Sequence, residues 1–138
     1  MYMSQEVSVP GSSWVEIIRR PTLEEFAAAF VEKVVLETSV GSRALVGARA
    51  IRYFFDATRA MYETIAFTHE ANTGNRSYLE WEGAYQGAAI AGMTILTRNA
   101  EGKITSIRLF HRPYDQIIAF SAGLADLLQG KIDPGVFH

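Results

Sequence analysis

Cysteine is absent from this sequence of 138 residues. Its absence excludes disulfides, thiolate catalysis and cysteine-ligated metal. Histidine is nearly as scarce: three copies stand at 69, 111 and 138, with no metal-ligand spacing. No metal and no cofactor is therefore expected. Positive charge is not in excess either. Thirteen Lys and Arg against fifteen Asp and Glu leave a net charge of -2, which gives no basic footprint for nucleic acid. Aspartate occurs only four times, at 56, 115, 126 and 133. No apolar run is long enough to span a bilayer. The opening MYMSQEVSVPGSS has no basic region followed by an apolar run, so no secretory signal is expected and the cytoplasm is the expected compartment.

What is present is apolar: 49% of the residues are hydrophobic. A chain of this length forms one domain that buries roughly two-thirds of its unfolded surface. The most informative stretch is residues 78–114, YLEWEGAYQGAAIAGMTILTRNAEGKITSIRLFHRPY. It reads as three antiparallel strands joined by tight turns at Gln86-Gly87 and Asn99-Ala100-Glu101-Gly102. Alternation sorts the faces. Leu79, Trp81, Ile90, Gly92, Thr94, Leu96, Ile107, Leu109 and His111 form the expected inner face. Glu80, Glu82, Ala91, Met93, Ile95, Thr97, Ile104, Ser106, Arg108 and Phe110 form the outer one, with Arg108 placed to pair with Glu80 or Glu82. An outer face carrying Met93, Ile95, Ile104 and Phe110 calls for a cover, and a second copy of the chain is the simplest one.

Around this sheet the pattern alternates between helix and strand. Residues 1–11 read as a loose tail. Ser12 or Ser13 opens a short helix with Trp14, Ile17 and Ile18, which ends at Pro21. Thr22-Leu23-Glu24-Glu25 is a capping-box pattern that starts a second helix. Residues 31–40 are strand-like and 41–47 form a loop. Residues 49–63 make the clearest helix, with Ile51, Phe54, Phe55, Thr58 and Tyr62 on one stripe. A short strand at 65–71 puts Ile65, Phe67 and His69 on one face. Pro113 suits the start of a last helix, with Tyr114, Ile117, Ile118, Ser121, Leu124 and Leu128 on its buried face. The final KIDPGVFH reads as a tail. The whole is an α+β domain: a cone-like, curved antiparallel sheet with helices on its concave face, leaving a cavity between the layers.

Three motifs resemble the nuclear-transport-factor-2-like superfamily, which includes the ketosteroid isomerases and polyketide-cyclase-like (SnoaL-like) proteins. One is Leu45-Val46-Gly47-Ala48-Arg49-Ala50-Ile51-Arg52-Tyr53-Phe54-Phe55. Another is Glu80-Trp81-Glu82-Gly83 with its hairpin. The third is Thr94-Ile95-Leu96-Thr97 followed by Glu101-Gly102-Lys103-Ile104. The resemblance covers residues 12–112 and leaves the helix at 113–129 as an addition. It implies a cystatin-like cone and leaves the function open, because this fold hosts enzymes, binders and interaction modules. The isomerase branch places a carboxylate base, a tyrosine and a carboxylic acid where this chain carries Thr38, Trp14 and Thr94. A threonine has no lone pair basic enough to take a carbon-bound proton unaided, so the chain is not expected to be a ketosteroid isomerase.

Three functions follow as alternatives. The first is a domain that binds a small apolar molecule, with Trp14, Thr38, Phe54, Leu79, Trp81, Ile90, Thr94, Leu96, Ile107, Leu109 and His111 around the ligand. Tyr53 and Tyr62 are further aromatic residues placed to line a pocket or pack in the core. The second is a cyclase-like or isomerase-like enzyme with His111, at the cavity mouth, as acid or base. The third is a protein-interaction module without ligand. A homodimer is expected under all three.

Overall fold

The computed structural model describes residues 9–138. Among these residues four helices, six strands and a closing 3-10 turn follow in chain order: α1 (Ser12–Ile18), α2 (Leu23–Ala27), β1 (Phe30–Thr38), β2 (Leu45–Val46), α3 (Ala48–Met61), β3 (Thr64–Thr73), β4 (Arg76–Tyr85), β5 (Ala88–Arg98), β6 (Ile104–Arg112), α4 (Tyr114–Leu127) and the turn Pro134–Val136. The strands form one sheet in the order β2-β1-β6-β5-β4-β3. Every neighbour pair is antiparallel except β1 with β6, which is parallel. The sheet is thus mixed, where the local hairpins alone suggested an antiparallel one. No helix among the described residues is long and apolar enough to cross a membrane.

Local chemistry explains the elements. Gln86 and Gly87 both take positive φ, 52° and 77°, the geometry that lets a two-residue turn follow the twist of β4 and β5. Thr22 accepts from the Glu25 N–H at 3.1 Å and its own hydroxyl donates to the Glu25 carboxylate at 2.9 Å, which fixes the start of α2. Helix α3 buries Ile51, Phe54, Phe55, Ala57 and Thr58, the stripe its 3.6-residue period predicts. The expected inner face of β4–β6 is buried: Leu79, Trp81, Ile90, Thr94, Leu96, Ile107, Leu109 and His111 are all 6% exposed or less.

Three expectations are overturned. Ile104 is 1% exposed and belongs to the core. The register shifts so that Thr97 pairs Ser106 while Arg98 pairs Ile104. The extra residue, Thr105, turns the start of β6 over. Arg108 pairs with Glu37 at 3.1 Å, not with Glu80 or Glu82, because β5 separates β6 from β4. On α4, Tyr114 and Ile118 are exposed, while Gln116, Phe120, Ser121 and Leu124 are buried. This helix is apolar nearly all round, so its period could not choose a face. Gln116 chooses it by donating to the carbonyls of Tyr85 and Ala88 at 3.0 and 3.2 Å.

Neither terminus behaves as expected where it is described. Ile132, Val136 and Phe137 are buried. Phe137 bridges to Gly41, and the His138 N–H donates to the Ser121 hydroxyl at 2.8 Å. At the other end Gly11 is buried with φ 73°. Its N–H donates to Glu70 at 2.9 Å, and a Cβ there would fall 2.6 Å from the Phe67 ring. Gly11 is thus held against β3; residues 1–8 of the expected tail lie outside the described residues.

Candidate functional site

Between the helices and the sheet lies a cavity of about 500 Å³. Helix α1 contributes Trp14, Val15 and Ile18 to its wall, α3 contributes Phe55 and Thr58, and Tyr62 follows from the C-cap of α3. The sheet supplies Ile65, Ala66, Phe67, Trp81, Thr94 and Leu109, and Val9, Pro10 and Ser12 close one side. Among the described residues Arg19 and Arg59 are the charged ones in the lining, and no carboxylate joins them. Trp14 meets Phe55 edge-on at 5.2 Å, and Tyr62 meets Trp81 at 5.5 Å. These aromatic contacts hold rigid walls around the space. The Thr94 hydroxyl and the indole N–H groups of Trp14 and Trp81 sit on residues only 2% exposed. None of the three has a hydrogen-bond partner among the described residues.

Glycine shapes this wall. A Cβ on Gly92 would fall 2.0 Å from the Phe110 carbonyl oxygen and 2.4 Å from Cζ2 of Trp81. The bare backbone leaves room for the Phe110 carbonyl of β6 and lets the Trp81 ring lie across it.

Of the residues expected around the ligand, Trp14, Trp81, Thr94 and Leu109 line the cavity. Phe54, Leu79, Ile90, Leu96 and Ile107 do not; each is 2% exposed or less and fills the core around it. Thr38 is also outside the lining. It sits half-buried at the end of β1, where its hydroxyl accepts from the Val40 N–H at 3.3 Å and its methyl approaches Gly41. Tyr53 is half-buried outside the lining, with the Lys131 ammonium over its ring.

His111 does not stand at the cavity mouth. It is 6% exposed and absent from the cavity lining. Trp81 packs edge-on to its ring at 5.2 Å, and Phe120 lies against it at 5.5 Å. Its Nδ1 faces the Ser39 hydroxyl at 3.3 Å and its Nε2 faces the Tyr62 hydroxyl at 3.2 Å. Burial pushes the imidazole down to about 3, so the ring is neutral at pH 7. Burial also raises the Tyr62 phenol. His111 therefore reaches the cavity only through Tyr62. Ser39 gave no sequence signal, because it lies 72 residues from the histidine it holds.

His69 is on the opposite face. β3 carries a bulge: Phe67 pairs Trp81, but His69 pairs Glu80. The extra residue, Thr68, turns His69 outward, where it meets the Glu80 carboxylate at 3.0 Å. Both border a second groove of about 300 Å³, with Glu82, Met93, Phe110 and Arg112 from the outer face and Trp81, Gly92 and His111 from the inner one. Among the described residues no group of three His, Asp or Glu is placed to hold a metal ion.

A helix-backed mixed sheet around an internal cavity is the architecture of the cystatin-like and ketosteroid isomerase-like folds. The chain belongs to the SnoaL-like domain family, whose model matches residues 12–107. Solved structures share the fold. A steroid delta-isomerase from Pseudomonas aeruginosa matches with a TM-score of 0.76 at 16% identity, covering 86% of this chain and 88% of that one. An uncharacterised protein with a cystatin-like fold from Silicibacter pomeroyi DSS-3 matches with a TM-score of 0.75 at 15% identity, covering 84% and 82%. A protein provisionally named a SnoaL-like polyketide cyclase, from Shewanella denitrificans OS-217, matches with a TM-score of 0.57 at 16% identity, covering 86% and 93%. No curated protein matches the sequence. At these identities the likeness shows the fold alone.

Proposed function

We propose that the protein binds a small, largely apolar molecule in the cavity between its helices and its sheet. The observation that carries this reading is the cavity itself: about 500 Å³, walled by Trp14, Phe55, Tyr62, Phe67, Trp81 and Leu109, with the Thr94 side chain also in its lining. A well-folded core of this size closes such a space with side chains unless something else fills it. The volume falls within the range of small-molecule sites, and an apolar lining with a few placed polar groups is their usual chemistry. The enzyme alternative has less support. Among the described residues no carboxylate lines the space, and the one histidine near it there is neutral and held on both ring nitrogens.

The test is titration with N-phenyl-1-naphthylamine, a neutral apolar fluorophore, against the wild type and Thr94→Phe. The variant drives a ring into the cavity floor. Enhanced emission with the wild type and none with the folded variant is the expected result. Equal emission from both, or none from the wild type, overturns the reading.

The outer face supports a second proposal, that two copies pair through it. Phe110 is 48% exposed there, beside Met93 and the groove. Sedimentation should find a dimer at micromolar concentration and a monomer for Phe110→Glu; a wild-type monomer refutes it.

A further inference from the structure

The hydrogen-bonded chain Ser39–His111–Tyr62 runs behind the cavity wall and meets the cavity at Tyr62. The Ser39 Oγ accepts from the His111 backbone N–H at 2.8 Å and also lies 3.3 Å from Nδ1 of the same residue. Tyr62 Oη lies 3.2 Å from Nε2. A neutral imidazole has one N–H, so the chain has two possible directions. In one, Ser39 donates to Nδ1 and Nε2–H donates to Tyr62. In the other, Tyr62 donates to Nε2, and Ser39 receives both the ring N–H and the backbone N–H.

The first direction makes Ser39 an acceptor on one side and a donor on the other, the arrangement in which hydrogen bonds reinforce one another. It leaves the Tyr62 phenolic proton with no acceptor among the described residues. Tyr62 lines the cavity. Thr94, Trp14 and Trp81, and also Ser12, Arg19 and Arg59, bring further donors to that lining, and no carboxylate stands among its described residues.

We infer that Tyr62 is the hydrogen-bond donor for the cavity's ligand, with its proton aimed inward by Ser39 through His111. The ligand's polar end is therefore an acceptor, such as a ketone or ester oxygen. The inference rests on the ligand-binding reading and adds to it the chemistry of one end of the molecule. His111 is a positioning residue here: it moves no proton and touches no ligand.

Displacement of N-phenyl-1-naphthylamine by three matched compounds tests it: naphthalene, 2-acetylnaphthalene and 2-(aminomethyl)naphthalene. The ketone should bind roughly fivefold tighter than naphthalene, the worth of one neutral hydrogen bond, and the amine no tighter. Tyr62→Phe should remove the ketone's advantage and leave naphthalene unchanged. Ser39→Ala should reduce that advantage, and Ser39→Thr should restore it. Nitrogen-15 NMR of the wild type reads the direction itself: Nε2 should carry the proton and Nδ1 should not. Should Ser39→Ala fail to fold, this spectrum decides alone.

The opposite tautomer, or a ketone no better than naphthalene while naphthalene binds, overturns the inference and leaves the cavity reading standing. Failure of all three compounds and of the fluorophore to bind overturns both.

Discussion

Acidification is the most direct probe of the buried histidine. In the folded protein His111 protonates only near pH 3, because burial opposes the charged ring, whereas its ordinary value is 6.5. Between those two values the unfolded chain binds a proton that the folded chain refuses. Stability therefore rises with pH in this window, is fully present above about pH 6.5, and is lost steadily as pH falls toward 3. At 1.36 kcal/mol per pH unit, moving from pH 7.5 to 4.5 costs about 2.7 kcal/mol from this residue alone. For a domain of this size that corresponds to a fall of about 10 °C in melting temperature. The assay is urea unfolding of the wild type and His111→Gln at both pH values. Exposed carboxylates such as Asp133 and Glu16, both held low by arginine or backbone partners, contribute equally to each protein and cancel. The wild type should lose about 2.7 kcal/mol more than the variant across the interval. Equal losses would mean that His111 is not buried and neutral, and the account of its environment would fail.

Three other outcomes follow from named contacts. Gly92→Ala places a methyl group against the Phe110 carbonyl and the Trp81 ring; it should destabilise by about 1–3 kcal/mol and weaken fluorophore binding, as thermal melts and titration would show. Removing residues 131–138 takes away the buried Ile132, Val136 and Phe137. At roughly 1.5–3 kcal/mol for each side chain, the truncated protein should melt far below the intact one, whereas an unchanged melting temperature would make this segment a tail after all. Thr22→Ala removes the cap on the Glu25 N–H and should cost about 1 kcal/mol with no effect on ligand binding.

The sequence revealed most where structure is local. Polar, glycine-bearing turns fixed the three-strand meander, and alternation assigned the inner residues of β4 correctly at Leu79 and Trp81. It failed where a single extra residue entered a strand. Thr68 sent His69 to the outer face, and Thr105 sent Ile104 to the inner one. Neither bulge residue has a feature that sets it apart from an ordinary strand threonine. The apolar α4 offered no preferred stripe, so its face was decided by Gln116 and by the closing segment that packs beside it. Of the candidate site, Trp14, Trp81, Thr94 and Leu109 were legible as inner-face or helix-face residues. The division between cavity wall and packed core was not, because Leu79 and Leu109 look alike on paper and differ only in what stands opposite. The partners of His111 were hidden for another reason: Ser39 and Tyr62 lie 72 and 49 residues away in sequence.

The parallel pairing of β1 with β6 bears on how the molecule is made. Phe30 lies beside Ile104 and Leu36 beside Ile107, so β1 finds its long neighbour only after about seventy more residues. During synthesis β1 leaves the ribosome early, with Val34 and Leu36, both wholly buried in the end, still facing water. Its short antiparallel neighbour β2 covers only two residues of it. The hairpins from β3 to β6 can close as they emerge, but β1 must wait for the last of them. Closing so long a loop is slow, and an uncovered apolar strand is the segment on which an unfinished chain meets another. Folding rate and yield should therefore respond more to Val34 and Leu36 than to residues of the meander that carry equal burial.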